Sequence, residues 1–335
     1  MNDRSHEVDW SGLFHASGPA GDTPLHPAAL LGDDAKAFVA GYSHLWSATL
    51  RRQGKAWPAT APTALLVAEL LDNPLLGPDD PSLPDAMLAY LYEVGVAADL
   101  GDRAAEIRAR VRDRAPELRA WTAEYVSTDA DGRARMWRDG TGPGELVLDQ
   151  AALACFDLVP VLLRRTLPHL ASERARRRTC AAAAVGSLAR HPAASGQRPG
   201  LLDQLTSMAR AADSPHDLAT IVIAIGHLDG DTRPWLADAH AGVRACAALA
   251  TDLQTHVREA VASSASAGPG HRRRLGRTVP GRGRRTPPLQ PHGQRTLCPR
   301  RYDADTAVTS ARSSASAART NAAMSSWSGS SSQRR

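Results

Sequence analysis

The sequence predicts an all-α chain, an α-solenoid of antiparallel helix pairs carrying a disordered C-terminal tail. Three observations predict it. Apolar residues recur at helical spacing between cap and breaker signals, strand signals are absent, and hydrophobicity and acidic charge vanish together near residue 263.

The elements follow in order. Residues 1–19 read as an N-terminal arm. Thr23-Pro24 places a capping residue before a proline, and Gly32 closes a short helix after Leu30-Leu31. From Asp33 to Arg52, Phe38, Tyr42, Leu45 and Trp46 form one stripe. A helix near 62–72 carries Leu65, Leu66, Leu70 and Leu71 and stops at Asn73-Pro74. Ser82-Leu83-Pro84-Asp85 reads as a capping box ahead of Met87, Leu88, Leu91 and Val94. Gly101-Asp102 opens a charged helix broken at Pro116, and Leu118, Trp121 and Tyr125 mark its partner. These pieces make a first group, 20–138. Asp139–Gly144 is Gly-rich and reads as a linker to a second group, 145–262.

In that second group, Pro160 predicts a kink or split within 145–170. An Ala-rich helix covers 173–190 and another covers 200–212. Ser214-Pro215 caps the run Leu218, Ile221, Val222, Ile225, which ends at Asp229-Gly230. Helices of about 10–18 residues joined by tight turns suit stacked antiparallel pairs. No sheet is expected within 20–250. Two echoes suggest repeats. Leu31-Gly32-Asp33 with Phe38 and Ala40 matches Leu236-Ala237-Asp238 with Val243 and Ala245. Ala64–Val67 matches Pro160–Leu163 about 96 residues on, close to two periods of about 40–47.

The segment Leu236-Ala237-Asp238 through Val243-Arg244-Ala245 to Leu249 resembles the HEAT-repeat signature, in which an Asp caps and small residues let the paired helix approach. Residues 8–101 also look like actinobacterial HEAT-repeat proteins. The resemblance implies an α-solenoid whose work is done on an extended surface.

Charge is unevenly divided. The net +5 is the sum of −6 over residues 1–250 and +11 over 251–335. From Ser264 onward Leu, Val, Ile and Phe total only five residues, too few to offset the entropy of ordering. The Arg/Ser/Pro/Gly text of 263–335 is expected to lack a packed core. A shifted reading frame in a GC-rich gene would write such a text. Residues 252–262, with Leu253, Val257 and Val261 on one stripe, are the candidate cap for the end of the array.

The chemical constellations are sparse. The four cysteines (155, 180, 246, 298) show no CxxC, and Cys155, Cys180 and Cys246 read as small buried hydrophobes. Gly140-x-Gly142-x-Gly144 and Gly54-Lys55 lack the context of phosphate loops. The twelve histidines include no i, i+4 pair, and His6-Glu7 is the one His-Glu pair. That falls short of deoxyhypusine hydroxylase, a HEAT-fold iron enzyme, and nothing carries the chemistry of the phycobilin lyases. Trp10, Trp46, Trp57, Trp121, Trp137 and Trp235 could line a concave surface like that of HEAT-like alkylpurine DNA glycosylases, but an acidic body repels phosphates. The Arg run 103–114, interleaved with acids, reads as a solvated face with Glu106 paired to Arg110.

No catalytic, cofactor-binding or metal-ligating residue is therefore assigned. No apolar run approaches the roughly 18 residues of a membrane span, no export signal is present, and a cytoplasmic location without membrane attachment is expected. The expected function is a non-enzymatic scaffold holding a protein partner on the solenoid surface. The alternative is weak, non-specific nucleic-acid binding through Arg272-Arg273-Arg274, Arg282, Arg284-Arg285 and Arg300-Arg301. A HEAT-type enzyme comes third.

Overall fold

The structure, a computed structural model, describes residues 8–51, 55–77, 80–139 and 142–250. His6-Glu7, Gly54, Gly140, Cys298, the 252–262 stripe and the 263–335 tail lie outside the described residues.

The described residues are mostly helical, but four short strands interrupt the helices among them. β1 (Phe14–His15) pairs antiparallel with β2 (Gly18–Pro19), and β3 (Leu50–Arg51) with β4 (Lys55–Ala56). The second ladder falls inside 20–250 and corrects the expectation that no sheet would occur there. Two-residue ladders are too short to print an alternating pattern, so nothing in the sequence marks them. Gly18 sits at φ +134°, a conformation only glycine adopts freely, with the Arg133 guanidinium closing over it.

The helices are α1 (Leu25–Ala29), α2 (Ala35–His44), α3 (Thr60–Leu70), α4 (Ser82–Ala97), α5 (Arg103–Asp113), α6 (Ala115–Ser127), α7 (Ala130–Arg138), α8 (Gly144–Thr166), α9 (Ala175–Leu188), α10 (Arg198–Arg210), α11 (Pro215–His227) and α12 (Ala241–Ala250). One start is capped as the sequence suggests, where Ser214 Oγ accepts from Asp217 N–H (3.4 Å); α7, which the sequence does not signal, opens on Asp129 Oδ1 accepting from Gly132 N–H (2.7 Å). Others differ. Asp34, not Asp33, caps α2. The helix expected through Arg52 ends earlier, in a wide π turn over Leu45–Thr49. There the buried Thr49 hydroxyl meets Leu45 O (2.9 Å) and Tyr90 Oη (2.7 Å), turning the chain into β3. The 82–85 capping box does not form either. Asp80 Oδ1 accepts from Ser82 N–H (3.0 Å), and Asp85, 3% exposed, turns inward to Arg177 of α9 (3.4 Å).

Helix packing orders these elements. α3 packs on α4 and α8, α4 on α9, α8 on α9, α9 on α11, and α10 on α11. One core runs from Leu30 to Leu228 through all of them. It crosses the proposed 139–144 boundary, so the two groups are not separate bodies. Gly142 and Gly144 instead bring backbone against Trp121 and Trp137, where a methyl at either would collide with the indole. Nor is 8–19 a free arm, because Trp10 and Phe14 are buried. Phe14 joins Trp57, Trp121 and Tyr125 in a second core, 4.3 Å from the Tyr125 ring.

α8 continues through Pro160 without splitting. Packing on α3, α4, α5, α6 and α9 holds the helix across the proline's missing N–H. With the following turn, Gly144–Ala171 is long and apolar enough to cross a membrane by length and composition, against the sequence expectation. Half of its apolar window is buried in the protein, a property shared by core helices.

Candidate functional site

Two adjoining clefts open where α4, α8 and α9 end. One, of about 220 Å³, lies between Asp99, Phe156, Arg190 and His191, with Gly95 on its floor. The other, of about 230 Å³, lies over Val159, Pro160 and Leu167 and shares His191. Both are smaller than common ligand pockets of about 300–1,000 Å³. Arg190 Nη2 binds Asp99 Oδ2 (2.9 Å), and Arg190 Nη1 donates to His227 Nδ1 (3.4 Å). Burial lowers the His191 pKa, keeping that imidazole neutral, and its Nδ1 accepts from Ala193 N–H (3.1 Å). Ser187 is not an activated nucleophile, because its hydroxyl donates to the carbonyls of Tyr92 and Ala184.

The tryptophans weighed as a concave ligand surface are packing residues. Trp57, Trp121 and Trp137 close on one another around Phe14, Trp46 sits edge-on to Tyr90 (5.9 Å), and Trp10 packs with Ala20 and Ala59. Cys155 is fully buried and its thiol is pushed up to about 12; burial likewise raises Cys180 to about 11. Neither offers a thiolate at neutral pH. Two members of the Arg run on α5 pair with α8, Arg108 with Asp157 and Arg110 with Asp149 (3.6 Å), while Arg112 meets Asp113 of its own helix (3.8 Å).

The densest polar chemistry lies where sequence spacing did not point. His15 on β1, Asp22 in the turn after β2 and His44 at the end of α2 each bring one potential ligand atom within 4.8 Å of the others. Thr23 explains part of this convergence. It is fully buried and does not cap α1; its Oγ1 lies 3.1 Å from His44 Nε2 instead. His26 stacks on His44 with centroids 3.8 Å apart and planes 16° from parallel, while His15 meets His44 edge-on at 4.7 Å. His26 Nε2 is 3.4 Å from Asp22 Oδ2, and His15 Nε2 is 3.9 Å from Asp22 Oδ1. Burial, then the neighbouring His26 and His15, lower His44 to about 4, with Asp22 opposing. Burial also lowers His15, again against Asp22. Close approach of the backbone completes the arrangement: a methyl on Gly41 would run into the His26 carbonyl.

The only sequence trace of this group is the i, i+4 spacing of Asp22 and His26, since the remaining spacings are fixed by a hairpin and a helix-helix turn. His216, His227 and His240 have separate uses. His227 meets Arg190 and the Tyr92 ring, His240 accepts from Gly242 N–H (3.2 Å), and the His216 carbonyl accepts from the Thr220 hydroxyl (3.0 Å). Comparison of the chain with family models, curated proteins and solved structures gives no match.

Proposed function

We propose that this chain is a non-enzymatic, cytoplasmic scaffold, an α-solenoid of HEAT-like helix pairs that binds another protein on its surface. The observation that carries this reading is the recurrence of helix-to-helix contacts at near-constant sequence offset. Arg165 pairs with Asp72, Arg177 with Asp85, and Ser187 with the Tyr92 carbonyl, at separations of 93, 92 and 95 residues. They join the α3–α4 pair to the α8–α9 pair, so the earlier echo of about 96 residues corresponds to helices in contact, with α5–α7 inserted. One step further, Arg190 meets His227 at 37 residues' separation, near one unit of about 40 residues.

Small residues let the second helices approach closely. Gly186 of α9 lies against Ala224 of α11, and Gly226 of α11 against Ala250 of α12. Such pairs bury one face each and leave an extended outer surface, the usual place of function in stacked repeats. The alternative, nucleic-acid binding, is favoured by the +11 charge of residues 251–335.

The test is affinity capture on the immobilised full chain, with reconstitution of the retained protein from purified components. A stoichiometric complex insensitive to deletion of 263–335 supports the scaffold reading. No reconstituted complex, together with a salt-dependent shift of random duplex DNA that is lost on that deletion, overturns it in favour of the alternative.

A further inference from the structure

We propose that His15, Asp22 and His44 form a binding site for a late first-row divalent metal ion, Zn²⁺ foremost, with His26 positioning the Asp22 carboxylate.

The donor set has the right chemistry. Two imidazoles and one carboxylate suit Zn²⁺ and its neighbours and are poor ligands for Mg²⁺ or Ca²⁺, which take oxygen cages. Ligand distances of about 2.0–2.2 Å place tetrahedral donor atoms roughly 3.4 Å apart. The three donors already lie within 4.8 Å of one another, a gap that small side-chain rotations close. His15 Nε2 is buried and has no hydrogen-bond partner, so one donor atom faces the site unsatisfied. Asp22 is largely exposed and gives the ion its entry path from solvent.

The surrounding groups support these three. His26 Nε2 reaches the second Asp22 oxygen, Oδ2, leaving Oδ1 directed toward His15. One rearrangement accompanies binding. Ser17 N–H donates to His15 Nδ1 (3.1 Å), so the neutral ring carries its proton on Nε2. Ligation through Nε2 moves that proton to Nδ1 and releases the Ser17 N–H, which turns to water because Ser17 is exposed. An ion here would tie β1, the turn after β2 and the end of α2 together.

The experiment uses the full chain, stripped with EDTA, dialysed, and titrated with Zn²⁺ by calorimetry and with Co²⁺ by visible absorption. One equivalent should bind, Co²⁺ should show the intense d–d bands of a low-coordinate N/O site, and Tm should rise with Zn²⁺ and fall back with EDTA. Asp22→Asn, at an exposed position, and His44→Gln should each weaken binding by tenfold or more. His26→Gln should keep the stoichiometry, shift the Co²⁺ spectrum and lose about 10–100-fold in affinity. Far-UV circular dichroism verifies each fold, and Asp22→Asn alone decides the matter if His44→Gln is unfolded. Absence of a stoichiometric site overturns the proposal. So does undiminished binding by Asp22→Asn, which would place the ion elsewhere.

Discussion

His227 shows how one side chain's environment becomes a property of the whole chain. Burial, and secondarily the Arg190 guanidinium, lower its pKa from 6.5 to about 4. The Arg190 hydrogen bond makes the same demand, because Arg only donates and His227 Nδ1 must stay unprotonated to accept. Between pH 6.5 and about 4 the unfolded chain therefore binds a proton that the folded chain does not. This contribution to stability is whole above pH 6.5 and is lost as pH falls toward 4. We expect His227→Gln, whose amide oxygen can still accept from Arg190, to flatten that part of the acid limb. The change is about 1–3 kcal/mol, read as the difference in urea-unfolding free energy between pH 7 and pH 4.5 for the two chains. Equal pH slopes in both would show that His227 is not held neutral by the fold.

At the scale of elements, the close approach of α9 and α11 is the feature most open to test. A Cβ at Gly186 would lie 2.8 Å from both Cα and Cβ of Ala224, and backbone cannot step aside as a flexible side chain can. Helix propensity alone favours Gly186→Ala by about 1 kcal/mol. Overpacking costs about 1–3 kcal/mol and acts against an unyielding neighbour here. Gly186→Ala should therefore lower stability by roughly 1 kcal/mol net. Gly200→Ala in α10, where a methyl meets open space, should leave stability unchanged or raise it. Thermal melts of the two variants decide the sign, and stabilisation by both would mean that α9 and α11 are not in contact at Gly186.

Across the whole molecule, the described array ends on α12 with Leu236 41% and Leu249 39% exposed. The stripe Leu253, Val257 and Val261 is the apolar text that follows it, at roughly 1.5–3 kcal/mol per side chain if fully buried. Deleting 264–335 should leave Tm and light scattering nearly unchanged. Deleting from Thr251 onward should lower Tm and promote self-association through the exposed leucines. Identical behaviour of the two truncations would mean that 252–262 does not cover this end.

The sequence by itself determined the helical class and most element positions. A cap residue such as Ser214, and stripes such as Leu88, Leu91 and Val94, act within one turn of their own chain. The echo of Ala64–Val67 in Pro160–Leu163 falls on α3 and α8, two helices that pack on each other. The sequence did not show α7, whose only large apolar residues are Met136 and Trp137, nor the two-residue ladders, which are shorter than any period. Nor did it show that Asp85 serves Arg177 rather than a cap, or that Pro160 sits inside an unbroken helix. The tertiary structure alone brought His15, Asp22, His26 and His44 together. Their spacings answer to a hairpin, a buried threonine and a helix stacked across a glycine, and contacts made through space leave no period along the chain.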